Sequence, residues 1–195
     1  MTELSLPGVF TQAPAGIRLR RQWWILIPIL ITIMAIKSHR LWFINFVHVF
    51  SGGLCTGTDL FMGFMIGPIM RRLDLPARRA LIVRLMPRML FYMPTLAIIT
   101  TTAGWFMAKQ MGFLDIPYPQ YWWMIAVYVI VAILTLQGLG IMLPTNLRVY
   151  FEIQKERPDG EKIQRWMHTY VRAVAVQGLM QVAIIVVMSR LATGM

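Results

Sequence analysis

The sequence predicts an all-α polytopic membrane protein, a helical bundle of about five spans with its N-terminus inside and one interfacial amphipathic helix. Composition is the first indication, because 57% of the residues are hydrophobic and 14% are charged, whereas soluble domains are about 25% charged. The mean hydropathy of +0.61 agrees, and long apolar runs alternate with short basic segments. The length of 195 residues suits a single membrane domain.

The first part of the chain is predicted as an arm and two spans. Residues 1–17 are polar with Pro and Gly, which indicates a flexible cytoplasmic arm. No small-residue cleavage site follows the first apolar segment, so a cleavable signal peptide is not expected. A short span is predicted at 23–36, with Pro28 inside it. The second span, 41–70, would be ~45 Å long as a helix, so one end is expected to project or tilt.

The next segment, 71–88, alternates arginines with aliphatic residues, which is typical of an interfacial amphipathic helix. Its arginines would anchor the chain to lipid headgroups or provide a docking surface for an acidic partner. The remaining spans are predicted at 89–108, 121–143 and 166–188. An aromatic belt opens the fourth span at its outer end.

The distribution of basic residues predicts the topology. With the N-terminus inside, fourteen Lys and Arg residues fall on the inner segments and four on the outer ones, so the positive-inside rule favours N-in and C-out. The net charge is +11, and the basic residues lie between apolar runs. No nucleic-acid motif is present, so the predicted partner is a lipid bilayer and not a nucleic acid. The expected location is the bacterial inner (plasma) membrane. Further membrane subunits or a homo-oligomer remain open.

The second span carries an unusual polar stripe. His48, Cys55 and Asp59 fall on one face of a helix, and the opposite face is aliphatic and aromatic. Polar side chains without partners are costly in hydrocarbon, so this face must turn away from lipid. The span is therefore predicted to form a wall of the bundle, with a functional or packing seam.

A buried charge pair is predicted between the second and fifth spans. Asp59 lies ~16 Å and Arg172 ~9 Å from the inner ends of their helices, so an ion pair or a water-bridged contact is expected. The pair would fix helix packing or serve as a proton or substrate relay. Gln137, Gln177 and Gln181 would extend a polar interior or bond across helices.

His48 is the best cofactor or metal ligand in the sequence, as an axial haem ligand or a copper ligand; the alternative is a buried hydrogen-bonding histidine. His168 would lie ~25 Å away along the membrane normal, which argues against a bis-histidine haem. Gly52 would allow a flat cofactor or another helix to approach, and Cys55 lies on the same face. Sixteen methionines suggest copper handling or gap filling.

Residues 47–72 contain a histidine, several glycines, an aromatic residue and a proline followed by a basic exit, namely His48, Gly52, Gly53, Gly57, Phe61, Pro68, Arg71 and Arg72. In this pattern the segment resembles the copper-resistance protein D-like superfamily. The continuation at 84–105 is similar to that of an uncharacterised bacterial integral-membrane family grouped near it. Distant relatives include haem-binding membrane protoporphyrinogen oxidases, so the resemblance implies haem b on His48.

Three functional hypotheses follow. The leading one is a haem b-associated redox or porphyrin-handling membrane protein, with enzymatic activity left open because no catalytic triad can be assembled. The alternative is a non-catalytic membrane subunit or anchor of a larger complex. The third is copper transport across the inner membrane.

Overall fold

A computed structural model describes residues 19–119, 121–155 and 157–193. The predicted arm at 1–17 lies outside these residues. The described part of the chain is helical and has no strand. A 3₁₀ turn at Leu19–Ile25 leads into the first α-helix, and a second lies at Phe113–Asp115. The α-helices are α1 (Leu26–Lys37), α2 (Leu41–Phe61), α3 (Gly67–Arg72), α4 (Leu75–Gln110), α5 (Tyr121–Gln137), α6 (Leu143–Ile153) and α7 (Gly160–Ala192).

Several helical runs are long and apolar enough to cross a membrane, which confirms the all-α bundle. Within the described ranges there are four of them, namely Leu41–Met70, Ala80–Gln110, Tyr121–Ile153 and Gly160–Ala192. The first predicted span corresponds to a shorter apolar helix, Gln22–Lys37. The second span therefore has the predicted bounds, whereas the later spans are longer than predicted.

The helix is not interrupted at the predicted boundary between an interfacial segment at 71–88 and a third span, because α4 runs unbroken from Leu75 to Gln110. The helix begins where the Asp74 carboxylate accepts a hydrogen bond from the Ala77 N–H at 3.1 Å, which satisfies a free donor of the first turn. Pro87 lies inside the helix without ending it. Proline is tolerated there because neighbouring groups can satisfy the backbone atoms that it leaves free.

Two π-helical turns, at Met62–Ile66 and Gly138–Met142, have a common cause. The Gly67 N–H donates to the Met62 carbonyl, and the Leu143 N–H donates to the Gly138 carbonyl. The residue after each of these donors is a proline. A proline has no N–H and its ring clashes with the carbonyl four residues back, so a wider turn accommodates it. The fourth span therefore continues past its predicted end at 143.

The helices pack around two apolar clusters. The first joins α1, α2 and α4 through Ala35, Ile44, Val47, Ile99 and Ala103. The second joins the end of α4 to α5 and α7 through Ala108, Met124, Val127, Val187 and Leu191. A cavity of about 2950 Å³ is lined by residues of α2, α4, α5, α6 and α7. This central cavity is the space toward which functional side chains of the bundle can point.

Candidate functional site

The polar stripe of α2 forms part of the wall of the central cavity. His48, Cys55 and Asp59 all line it. On another face of the same helix, Trp42 and Phe46 are exposed, as expected for side chains that meet lipid. The predicted orientation of this span, with its polar seam toward the inside of the bundle, is therefore confirmed.

The imidazole of His48 is fixed by a backbone contact with α4. Its Nδ1 lies 2.8 Å from the carbonyl oxygen of Thr100. A carbonyl oxygen can only accept, so Nδ1 carries the hydrogen, and in the neutral imidazole Nε2 then keeps a lone pair. Among the described residues, no side chain or backbone group forms a hydrogen bond with Nε2. His48 therefore has the tautomer that a histidine ligand requires.

Gly104 of α4 makes room for this ring. A Cβ atom at Gly104 would lie 2.7 Å from Cε1 and 2.9 Å from Nδ1 of His48, closer than such atoms pack. Gly104 is also the residue four positions after Thr100, where a side chain would stand beside the Thr100 carbonyl oxygen. A glycine at this position leaves that oxygen open to a donor from another helix.

A second hydrogen bond reinforces the contact between α2 and α4. The Thr100 hydroxyl donates to the Ser51 hydroxyl at 2.8 Å, and Ser51 donates to the Val47 carbonyl at 2.7 Å. A Cβ atom at Gly52 would lie 3.3 Å from Cγ2 of Thr100, so this glycine permits close helix packing. Cofactor binding by Gly52 stays a prediction.

The carboxylate of Asp59 is held by two amides of α7. Its Oδ2 accepts hydrogen bonds from Nε2 of Gln177 at 2.8 Å and from Nε2 of Gln181 at 2.7 Å. The three residues are 9%, 8% and 4% exposed. Gln177 and Gln181 thus form hydrogen bonds between α7 and α2, which is one of the two roles predicted for them. Cys55, a free and half-buried cysteine, lies one turn before Asp59 on the cavity wall.

The direct ion pair predicted between Asp59 and Arg172 is not formed, whereas the water-bridged contact stays a prediction. Arg172 is exposed, and the ion pairs within the described ranges are Lys155–Glu152 and Lys162–Asp159. Arg172 precedes Gln177 by five residues, which places it about 140° around the helix from the face that meets Asp59. The depth of Arg172 along α7 is compatible with a contact to Asp59, but its side of the helix is not.

The remaining predicted residues do not join this group. His168 is exposed and lines the cavity near the start of α7, and no hydrogen bond links it to His48. Gln137, the last residue of α5, has a buried carbonyl oxygen without a partner in the part of the chain that the structure describes. Thr100, Gly104 and Ser51 are the site residues that the sequence argument missed.

Most side chains in the cavity wall that could bind a metal ion are methionine thioethers. No group of three or more His, Cys, Asp or Glu side chains that could hold a metal ion is found among the described residues. Eleven of the sixteen methionines line the cavity. Met side chains adapt to irregular apolar ligands and can also bind Cu(I). Copper transport therefore stays a prediction.

The comparisons with known proteins leave the function to be argued from this geometry. No family model, curated protein or solved structure matches the chain. The resemblance of residues 47–72 to the copper-resistance protein D-like superfamily stays a prediction.

Proposed function

We propose that this multi-pass membrane protein is a haem b-associated redox or porphyrin-handling protein with His48 as an axial ligand. The observation that carries the proposal is the 2.8 Å contact between His48 Nδ1 and the Thr100 carbonyl oxygen. Ligating histidines usually donate their second ring N–H to a carbonyl or carboxylate, which orients the ring and raises the basicity of the ligating nitrogen. His48 has this arrangement on a cavity wall.

The cavity suits an apolar macrocycle. Its volume of about 2950 Å³ exceeds the ~300–1,000 Å³ of ordinary ligand pockets, and eleven methionines are among the residues of its wall. A haem iron receives four ligands from the porphyrin, so one or two protein ligands suffice. Haem b, when bound, would supply one-electron chemistry. His48 would hold it, the Thr100 carbonyl would orient His48, and the apolar wall would exclude water.

Titration of the purified full chain with haemin tests the assignment. We expect saturable haemin binding that His48→Ala removes, since this substitution deletes the ligating nitrogen. His168→Ala is the matched control and should bind as the wild type does. Equal haemin affinity in His48→Ala and the wild type would contradict the proposal. A parallel titration with iron-free protoporphyrin distinguishes porphyrin handling, which keeps binding in His48→Ala, from a resident haem.

A different observation favours the second candidate, a non-catalytic membrane subunit or anchor. Gly53 and Gly57 have the small-xxx-small spacing that allows close helix approach, and a Cβ at either would meet no atom within 4 Å. Phe46 and Phe50, which stack at 5.5 Å between ring centroids, are exposed on the same helix. Gly53→Leu should shift a detergent-solubilised complex to a smaller size if this face binds another subunit. An unchanged size would argue against it.

A further inference from the structure

The group around Asp59 leaves two hydrogen-bond acceptors without donors. One amide N–H of Gln177 and one of Gln181 donate to Oδ2 of Asp59. The carbonyl oxygens of the two glutamines are buried and have no partner among the described residues. The side chains are more than nine-tenths buried. Two amide oxygens without donors thus lie beside a carboxylate that accepts two hydrogen bonds.

The described side chains do not supply the missing positive charge. Among the side chains that the structure describes, no Lys, Arg or His lies within ion-pair distance of Asp59. An uncompensated carboxylate inside a membrane bundle is strongly unfavourable, so the arrangement calls for a positively charged ligand or a proton.

We propose that Asp59, Gln177 and Gln181 form a binding site for one small monovalent cation of the Na⁺ type. Carboxylate and amide oxygens are the ligands that hard cations prefer. One carboxylate balances one positive charge, whereas a divalent ion would leave an excess charge buried. A proton on Asp59 would neutralise the carboxylate but could serve at most one of the two free amide oxygens.

The distances place these oxygens within reach of one ion. In each glutamine the amide oxygen is about 2.3 Å from its nitrogen by covalent geometry. Since the nitrogens lie 2.8 and 2.7 Å from Oδ2 of Asp59, both amide oxygens are within about 5 Å of that oxygen. Na⁺ has nearly the radius of Ca²⁺, whose oxygen ligands lie at about 2.3–2.6 Å. A rotation of each amide about its terminal side-chain bond would turn its oxygen toward an ion held by the Asp59 carboxylate.

The proposed ion would reach the site from the cavity and would tie two helices together. Asp59, Gln177 and Gln181 all line the cavity, and their hydrogen bonds connect α2 to α7. Asp59 is eleven residues from His48, about 16 Å along the helix. The cation site is therefore independent of the haem proposal, and its test does not involve haemin.

Equilibrium binding of ²²Na⁺ to the purified full chain tests the site, with choline chloride keeping the ionic strength constant. We expect saturable binding of one Na⁺ per chain. Asp59→Asn, which keeps the shape of the side chain, should weaken binding by about 100-fold or more because it removes the charge. Asp115→Asn, the same change at an exposed position in the second 3₁₀ turn, should leave binding unchanged.

Two further measurements keep the test decisive if Asp59→Asn does not fold. Gln177→Leu should weaken Na⁺ binding by about 10-fold, since it removes one ligand and leaves the carboxylate. In the wild type, Na⁺ should raise the melting temperature relative to choline, and this rise should disappear in Asp59→Asn. Absence of saturable binding, equal binding by Asp59→Asn, or melting that depends on pH but not on Na⁺ would each overturn the proposal.

Discussion

Replacing Gly104 by alanine tests the contact that positions His48. The new Cβ would lie 2.7 Å from Cε1 of the imidazole, so the ring must move and lose its 2.8 Å contact with the Thr100 carbonyl. Overpacking costs about 1–3 kcal/mol and the lost hydrogen bond about 1 kcal/mol. Alanine has a better helix propensity than glycine, which offsets about 0.5–1 kcal/mol of this destabilisation. We expect a net destabilisation of roughly 1–3 kcal/mol.

The assay is unfolding of the detergent-solubilised protein by a denaturing detergent, followed by circular dichroism. Gly178→Ala is the matched control, because a Cβ there would meet no atom within 4 Å, and it should be slightly stabilising. In a His48→Ala background the ring is gone, so Gly104→Ala should no longer destabilise the protein. If Gly104→Ala behaves like Gly178→Ala, or is equally harmful without the imidazole, the described packing is wrong.

Four other substitutions probe the remaining contacts. Gln181→Leu should lower the free energy of unfolding by about 1–3 kcal/mol because the buried carboxylate loses a donor, whereas Arg172→Met, at an exposed position, should change it by less than about 0.5 kcal/mol. Thr100→Val should cost about 1 kcal/mol through the lost hydroxyl bond to α2, yet keep haemin affinity because the backbone carbonyl remains. Asp159→Ala should increase hydrogen exchange in the first turn of α7. The Lys162 backbone N–H holds the pKa of Asp159 below its ordinary value, so this protection should persist above the ordinary carboxyl pKa of about 4 and disappear as the pH falls through the lowered pKa.

Helical periodicity was sufficient to predict which face of α2 is inside. His48 and Asp59 share a face that must avoid lipid, and both line the cavity. The partner of Asp59 was harder to predict, because depth along a helix follows from residue counting while direction depends on how each helix is rotated. Gln177 and Gln181, four residues apart, share a face that Arg172 does not, and this spacing was the available signal.

The contact of His48 with α4 could not be predicted in the same way. Its acceptor is a backbone carbonyl oxygen, which every residue possesses and which no side-chain pattern marks. The local signal was the spacing of Thr100 and Gly104, where a glycine four residues later leaves the carbonyl accessible. The predicted segment ends at 88 and 143 also do not coincide with helix ends, because the helices continue through Pro87 and through a π-turn before Pro144.

The central claim is that His48 offers Nε2 to a haem in the cavity. A reduced-minus-oxidised absorption spectrum of the detergent-purified wild-type protein, with metal analysis of the same sample, tests it most directly. The account predicts a b-type haem spectrum with iron in the preparation, and the loss of both in His48→Ala. A colourless wild-type protein without iron, purified from cells supplied with haem, would contradict it.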